Sequence, residues 1–151
     1  MVYKTMEDRR EKGLGYPEPI VLKMPSSSEY ILLARLIISC VGRLAGFEPE
    51  DIYDLKLSVT EAATNVIRHA EVESFLIEYR VFPEAVEITV IDQGGGFDVE
   101  EFSGTSGEHG GFGLAVIQSL VDEVILDSTA RGGTRLKMIR RRTPMGRVSE
   151  P

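Results

Sequence analysis

The sequence predicts a two-layer α/β sandwich, with helices packed on one face of a mixed, mostly antiparallel sheet. Three observations carry this. Two long segments between Glu29 and Ala70 repeat apolar residues at steps of three and four. From Phe75 the apolar period falls to two and holds through Val90. A Gly-rich stretch from Gln93 to Gly111 then divides this hairpin from a last helix and two more strands.

Taken in order, Ile20–Met24 is a short strand stopped by Pro25. Ser26, Ser27 and Ser28 offer N-caps for a helix starting near Glu29. Its apolar face is expected at Tyr30, Leu33, Ile37, Val41 and Leu44, with Gly46 as its end. Pro49 suits a first helical turn and opens a second helix running to about Ala70. Phe75, Ile77, Tyr79 and Val81 form one strand, and Val86, Ile88 and Val90 the next, joined through Pro83-Glu84. A third helix over about 112–122 leads to strand Val124–Leu126, a turn at Arg131-Gly132-Gly133, and a last strand near Thr134–Ile139. Residues 1–19 and 143–151 show little periodicity and are expected as mobile extensions flanking one domain over 20–142.

Composition narrows the function classes. With 151 residues, 42% of them hydrophobic, one domain can bury a core without staples. A net charge of −7 argues against non-specific nucleic-acid or membrane binding, which needs a cationic face. The single cysteine, Cys40, excludes an intrachain disulfide and a multi-cysteine zinc site, and its apolar neighbours predict a packed core thiol. No run approaches the roughly 18 apolar residues of a membrane span. The first 18 residues lack the apolar centre of a signal peptide, so the expected location is cytoplasmic.

Three segments carry chemistry. On the second helix Ile52, Leu55, Val59, Ala62, Val66 and Ala70 make the buried stripe. Ser58, Glu61, Asn65 and His69 make another, about 110° round at about 100° per residue. Glu61 and Asn65 stand one turn apart, so a proton-accepting carboxylate and a cation-ligating amide oxygen can converge. Any solvent-facing helix can carry such residues, and this stripe alone favours that plain surface reading. Asp92 at a strand end runs into Gln93-Gly94-Gly95-Gly96, where a flat ligand can approach the backbone and meet a fixed acceptor, as the amine of adenine would require. His109-Gly110-Gly111-Phe112-Gly113-Leu114 opens a helix with exposed backbone N–H groups that suit a phosphate chain. It is neither a Walker loop nor a dinucleotide fingerprint.

In this order the three segments resemble the boxes of the adenine-nucleotide-binding superfamily of gyrase, the heat-shock chaperone ATPases, histidine kinases and mismatch-repair proteins. Glu61-Ala62-Ala63-Thr64-Asn65 matches its N-box, Asp92-Gln93-Gly94-Gly95-Gly96 its D-x-G-x-G box, and Gly111-Phe112-Gly113-Leu114 its G-x-G-L box. Gly132-Gly133-Thr134 is similar to its terminal G-T element. Within the superfamily the chain is most similar to the small bacterial anti-sigma-factor serine kinases, from about Met24 to Lys137. Asp54-Leu55-Lys56-Leu57-Ser58-Val59-Thr60-Glu61-Ala62 and Leu120-Val121-Asp122-Glu123-Val124 carry that likeness.

The resemblance implies a Bergerat-type fold and an ATP-dependent serine kinase that uses Mg²⁺. It implies Glu61 as general base, Asn65 as the Mg²⁺ ligand, and Asp92 as acceptor of the adenine amine with Thr134 nearby. Gly94 and Gly96 would shape the adenine pocket, and Gly110, Gly111 and Gly113 the phosphate loop. The implied partners are a sigma factor, held away from RNA polymerase, and a small antagonist protein whose serine is phosphorylated. A homodimer through the first helix and its adjoining strand is also implied. Two alternatives stay open: a nucleotide-gated binding module without phosphotransfer, and a sister kinase that controls a phosphatase or signalling complex. Thirteen residues, Phe97 to His109, would form a short lid. The basic stretch Lys137, Arg140, Arg141, Arg142 and Arg147 reads as a charged guard on an edge strand, or as a steering patch for an acidic partner.

Overall fold

A computed structural model describes residues 15–93, 113–128 and 133–143. Strand β1 (Ile20–Pro25) leads through a 3-10 turn (Ser28–Tyr30) into helix α1 (Ile31–Leu44) and helix α2 (Pro49–His69). Strands β2 (Ser74–Val81) and β3 (Ala85–Asp92) follow, then helix α3 (Gly113–Leu120), β4 (Glu123–Ser128) and β5 (Thr134–Arg141). The strands lie in the order β1-β2-β3-β5-β4, and every neighbouring pair is antiparallel. The sheet is therefore antiparallel throughout rather than mixed. β3 and β4 do run in the same direction, but β5 lies between them and pairs with both.

Alternation sets the two faces. Ile77, Tyr79, Ile88, Val90, Leu136 and Met138 join Leu55, Val59, Ala62 and Val66 of α2 in one core. Tyr79 is fully buried, which raises its phenol well above the usual range, and its hydroxyl donates to the Ala34 carbonyl at 3.1 Å. The opposite face is closed in part by residues assigned to an extension in the sequence. Tyr16 lies edge-on to Phe82 and beneath the Arg80 guanidinium, and its hydroxyl donates to the buried Glu87 at 3.1 Å. Arg80 also donates to the Pro17 carbonyl. Tyr16 and Pro17 are thus tied to the sheet.

Helix α1 ends as its glycine predicts. Gly46 takes φ 78°, its N–H bonds Arg43 O, and Phe47 N–H bonds Gly42 O, the paired closure that satisfies terminal carbonyls. Its buried face differs from the expected one. Ala34, Ile38 and Gly42 are buried, whereas Leu33 is exposed and Leu44 is 83% exposed. Small residues decide this: a Cβ built on Gly42 would lie 2.7 Å from Ile52 Cγ1, so α1 and α2 meet where side chains are smallest. The bulkier apolar face, with Leu32, Leu33, Leu36 and Leu44, points outward. Cys40 lies exposed on this helix, not in the core as expected.

The basic stretch is also corrected. β5 is an interior strand, so it needs no edge guard. Lys137 pairs with Glu87 at 3.5 Å, Arg140 with Asp51 at 2.8 Å and Asp54 at 2.9 Å, and Arg141 with Glu123 at 3.3 Å. These cations serve acids of their own chain. Arg147 lies outside the described residues.

Candidate nucleotide site

Helix α2 has the residues for 21 positions of helix: Pro49 at its start, acids Glu50 and Asp51 in the first turn, and Arg68 and His69 in the last. Its expected stripe, Ile52, Leu55, Val59, Ala62, Val66 and Ala70, is buried throughout. On the neighbouring stripe Glu61 is half-buried and Asn65 is 5% exposed. Ser58 is buried too, but its hydroxyl donates to the Asp54 carbonyl at 2.7 Å and so serves the helix itself. His69 is half-buried one turn beyond Asn65.

Asp92 ends β3 and Thr134 begins β5, and the two are direct partners in the antiparallel register. Both are buried, at 1% and 2% exposure. Alternation places them on the face that carries Val90 and Leu136, beneath the helices. Gly113, the first residue of α3, is also buried, and α3 packs on α2.

One anchor brings α2 into phase with this strand end. Asp51, fully buried in the first turn of α2, accepts hydrogen bonds from Arg140 Nη2 at 2.8 Å, Arg140 Nε at 3.2 Å, Thr143 Oγ1 at 2.7 Å and Thr143 N at 3.0 Å. Burial works to raise the Asp51 pKa, but these donors outweigh it and hold the carboxyl below its usual range. Burial likewise works against the Arg140 charge, and Asp51 outweighs it, so Arg140 sits above its usual range. From Asp51 to Asn65 is roughly 21 Å along a helix at about 1.5 Å per residue. From Arg140 back to Thr134 is roughly 20 Å along a strand at about 3.3 Å per residue. The chain agrees: α2 ends at His69, β2 begins at Ser74, and Leu76 of β2 pairs with Ile91 beside Asp92. Asn65, Asp92 and Thr134 thus share one end of the sandwich.

Two buried polar atoms there, Asn65 Nδ2 and Thr134 Oγ1, have no hydrogen-bond partner among the described residues; His69 Nε2 is in the same condition. Leaving such an atom unsatisfied costs about 1–3 kcal/mol, so their gathering marks where a polar ligand enters. A carboxylate, an amide and a hydroxyl suit an aminopurine nucleotide and its cation, and the residues present fit that group. Gly94, Gly96, Gly110 and Gly111, and the lid from Phe97 to His109, lie outside the described residues. The anchor of Asp51, Arg140 and Thr143 was missed by sequence reasoning. Its only trace there was a buried-side acid in the first turn of α2 and an arginine at an inward position of β5.

Comparison with known proteins gives the family and the fold. Residues 24–140 match the model of the histidine kinase-like ATPase domain. The chain is 36% identical over 124 residues to the serine-protein kinase RsbW of Listeria innocua, covering 72% of this chain and 79% of that one. It is 34% identical over 137 residues to the serine-protein kinase RsbW of Staphylococcus epidermidis, covering 80% and 85%. A crystal structure of the RsbU and RsbW domains of a Mycobacterium tuberculosis protein shares the fold, with a TM-score of 0.65 at 19% identity over 84% of this chain and 33% of that chain. Among the described residues no helix is long and apolar enough to cross a membrane. The chain belongs to the anti-sigma-factor serine kinase family, within the histidine kinase-like ATPases, and is a protein serine kinase.

Proposed function

We propose that this kinase works in the cytoplasm, sequesters a sigma factor, and releases or recaptures it according to the phosphorylation of one serine on a small antagonist protein. The observation that carries the kinase chemistry is the gathering of Asn65, Asp92 and Thr134 at one end of the sandwich, with Glu61 one turn from Asn65 on α2; the two partners are taken from the family to which the chain belongs. ATP supplies the phosphoryl group, and Mg²⁺ offsets the charge of its phosphates. Asp92 accepts the adenine amine, with Thr134 beside it. The amide oxygen of Asn65 ligates the cation. The roles assigned to the glycines are the adenine pocket for Gly94 and Gly96 and the phosphates for Gly110, Gly111 and Gly113, of which Gly113 alone is among the described residues. Glu61 takes the proton of the serine hydroxyl as that oxygen bonds the phosphoryl group and ADP departs. The product carries about two added negative charges, enough to break a contact surface on the antagonist.

The outward apolar face of α1, together with Ile20 and Val21 exposed on the edge strand β1, supports a homodimer built through these two elements.

Transfer of label from γ-labelled ATP to purified small proteins of the encoding organism tests the reading. One labelled serine, lost with Glu61→Ala and with Asn65→Ala, is the expected result. ATP binding without transfer to an antagonist shown to be unphosphorylated would leave a nucleotide-gated binder instead.

A further inference from the structure

A cleft of about 630 Å³ runs between the C-terminal half of α1 and the N-terminal half of α2. Phe47, Pro49, Ile52 and Tyr53 give it an apolar lining, and Arg43 and Lys56 stand on it. Phe47 and Ile52 belong to the buried core, whereas Tyr53 is 58% exposed. Arg142 closes over the Phe47 ring with its guanidinium 5.9 Å from the ring centre. Arg43 and Lys56 form no ion pair with any described residue, unlike Lys137, Arg140 and Arg141. On a chain of net charge −7, the charged side chains that line this cleft, Arg43 and Lys56, are both cationic; the exposed acids Glu48 and Glu50 flank Pro49 without lining it.

We propose that this cleft docks an acidic segment of the sigma factor, an inference that rests on the reading above that the chain holds one. An apolar side chain of that segment enters beside Tyr53 and Phe47, and its carboxylates meet Arg43 and Lys56. Charge complementarity selects an acidic occupant. Geometry selects the sequestered partner over the phosphorylated one. At about 100° per residue, Tyr53, Lys56 and Ile52 lie roughly 80° to 180° round α2 from Glu61. A serine substrate has to reach Glu61, whereas a protein that is only held does not.

The test measures three quantities for wild type, Arg43→Glu/Lys56→Glu and Arg43→Lys/Lys56→Arg, with ATP and Mg²⁺ present. These are affinity for the purified sigma factors of the encoding organism, ATP affinity, and the rate of antagonist phosphorylation. Charge reversal should weaken sigma binding by about tenfold or more. The charge-conserving variant should bind within about threefold of wild type, and all three proteins should match in ATP affinity and phosphorylation rate. Equal sigma binding by the reversed variant overturns the cleft while leaving the sequestration reading intact. So does a fall in antagonist phosphorylation with sigma binding unchanged, which would assign the cleft to the antagonist. A joint fall of sigma binding and ATP affinity overturns it as well, because the substitution would then act through the fold. Wild type binding no sigma factor at all removes the sequestration reading and this occupant together.

Discussion

Arg140 Nη2 lies 2.8 Å from Asp51 Oδ1, and this contact sets the position of α2 along β5. Asp51 is fully buried, so its charge depends on Arg140 and Thr143 rather than on water. Removing one partner from a buried pair leaves an uncompensated group and costs about 3–5 kcal/mol. Asp51→Ala should therefore lower the melting temperature by roughly 6–20 °C, at about 2–4 °C per kcal/mol for a chain of this size. Calorimetry of the purified protein checks this.

The same carboxyl gives an acid limb to the stability curve. Its pKa is lower folded than unfolded, so its contribution is complete above the ordinary carboxylate value of about 4. That contribution is lost as pH falls through the lower, folded value. Melting temperatures between pH 7 and pH 2.5 should show a steeper acid fall for wild type than for Asp51→Asn. Parallel curves would remove Asp51 as a source of the acid limb.

Asp92 and Thr134 face each other in register at the other end of β5. A hydrogen bond to a charged acceptor contributes about 1.5–3 kcal/mol, so Asp92→Asn should weaken ATP binding by roughly 10- to 150-fold. Thr134→Ala should weaken it by less than about tenfold, as befits a neutral hydroxyl. Titration calorimetry with ATP and Mg²⁺ measures both. Unchanged affinity in Asp92→Asn would place the adenine elsewhere.

Glu61 and Asn65 should separate by readout. Loss of a general base costs about 10²- to 10⁴-fold in rate, so Glu61→Gln should abolish most phosphotransfer while retaining nucleotide binding. Asn65→Ala should lower transfer and also weaken the Mg²⁺ dependence of ATP binding. Initial rates across a Mg²⁺ series distinguish the two roles.

The outward face of α1 predicts an oligomer. Leu36→Glu combined with Leu44→Glu places two charges on that apolar face and should give a monomer in analytical ultracentrifugation, against a dimer for wild type. Both positions are already exposed in the single chain, so its melting temperature should change by less than about 3 °C.

Gly42 tests the contact between the helices. A Cβ there would meet Ile52 Cγ1 at 2.7 Å, so Gly42→Val should cost about 1–3 kcal/mol despite the gain in helix propensity. In a double-mutant cycle with Ile52→Ala the combined loss should be smaller than the sum of the two single losses, because the truncated side chain leaves room for the added methyls; thermal melts of the four proteins check this.

Much of this protein was written into local pattern. The α2 stripe from Ile52 to Ala70 was legible because a helix buried along one face must repeat at 3.6, and β2 because a half-buried strand must alternate, whereas β3 is buried at every position and its alternation separates apolar from polar side chains, not inside from outside. Glu61 to Asn65 spacing and the Asp92 strand end were legible for the same reason: one turn and one chain break fix where a side chain points. Tertiary structure alone decided which of two apolar faces of α1 meets α2, because close approach rewards Ala34 and Gly42 over larger neighbours. It alone decided that β5 lies inside the sheet, since strand order depends on contacts between distant segments. With β5 inside, Arg140 turned from a surface cation into the partner of Asp51, 89 residues away along the chain. Local periodicity records what each segment buries, and only the packed whole records against what.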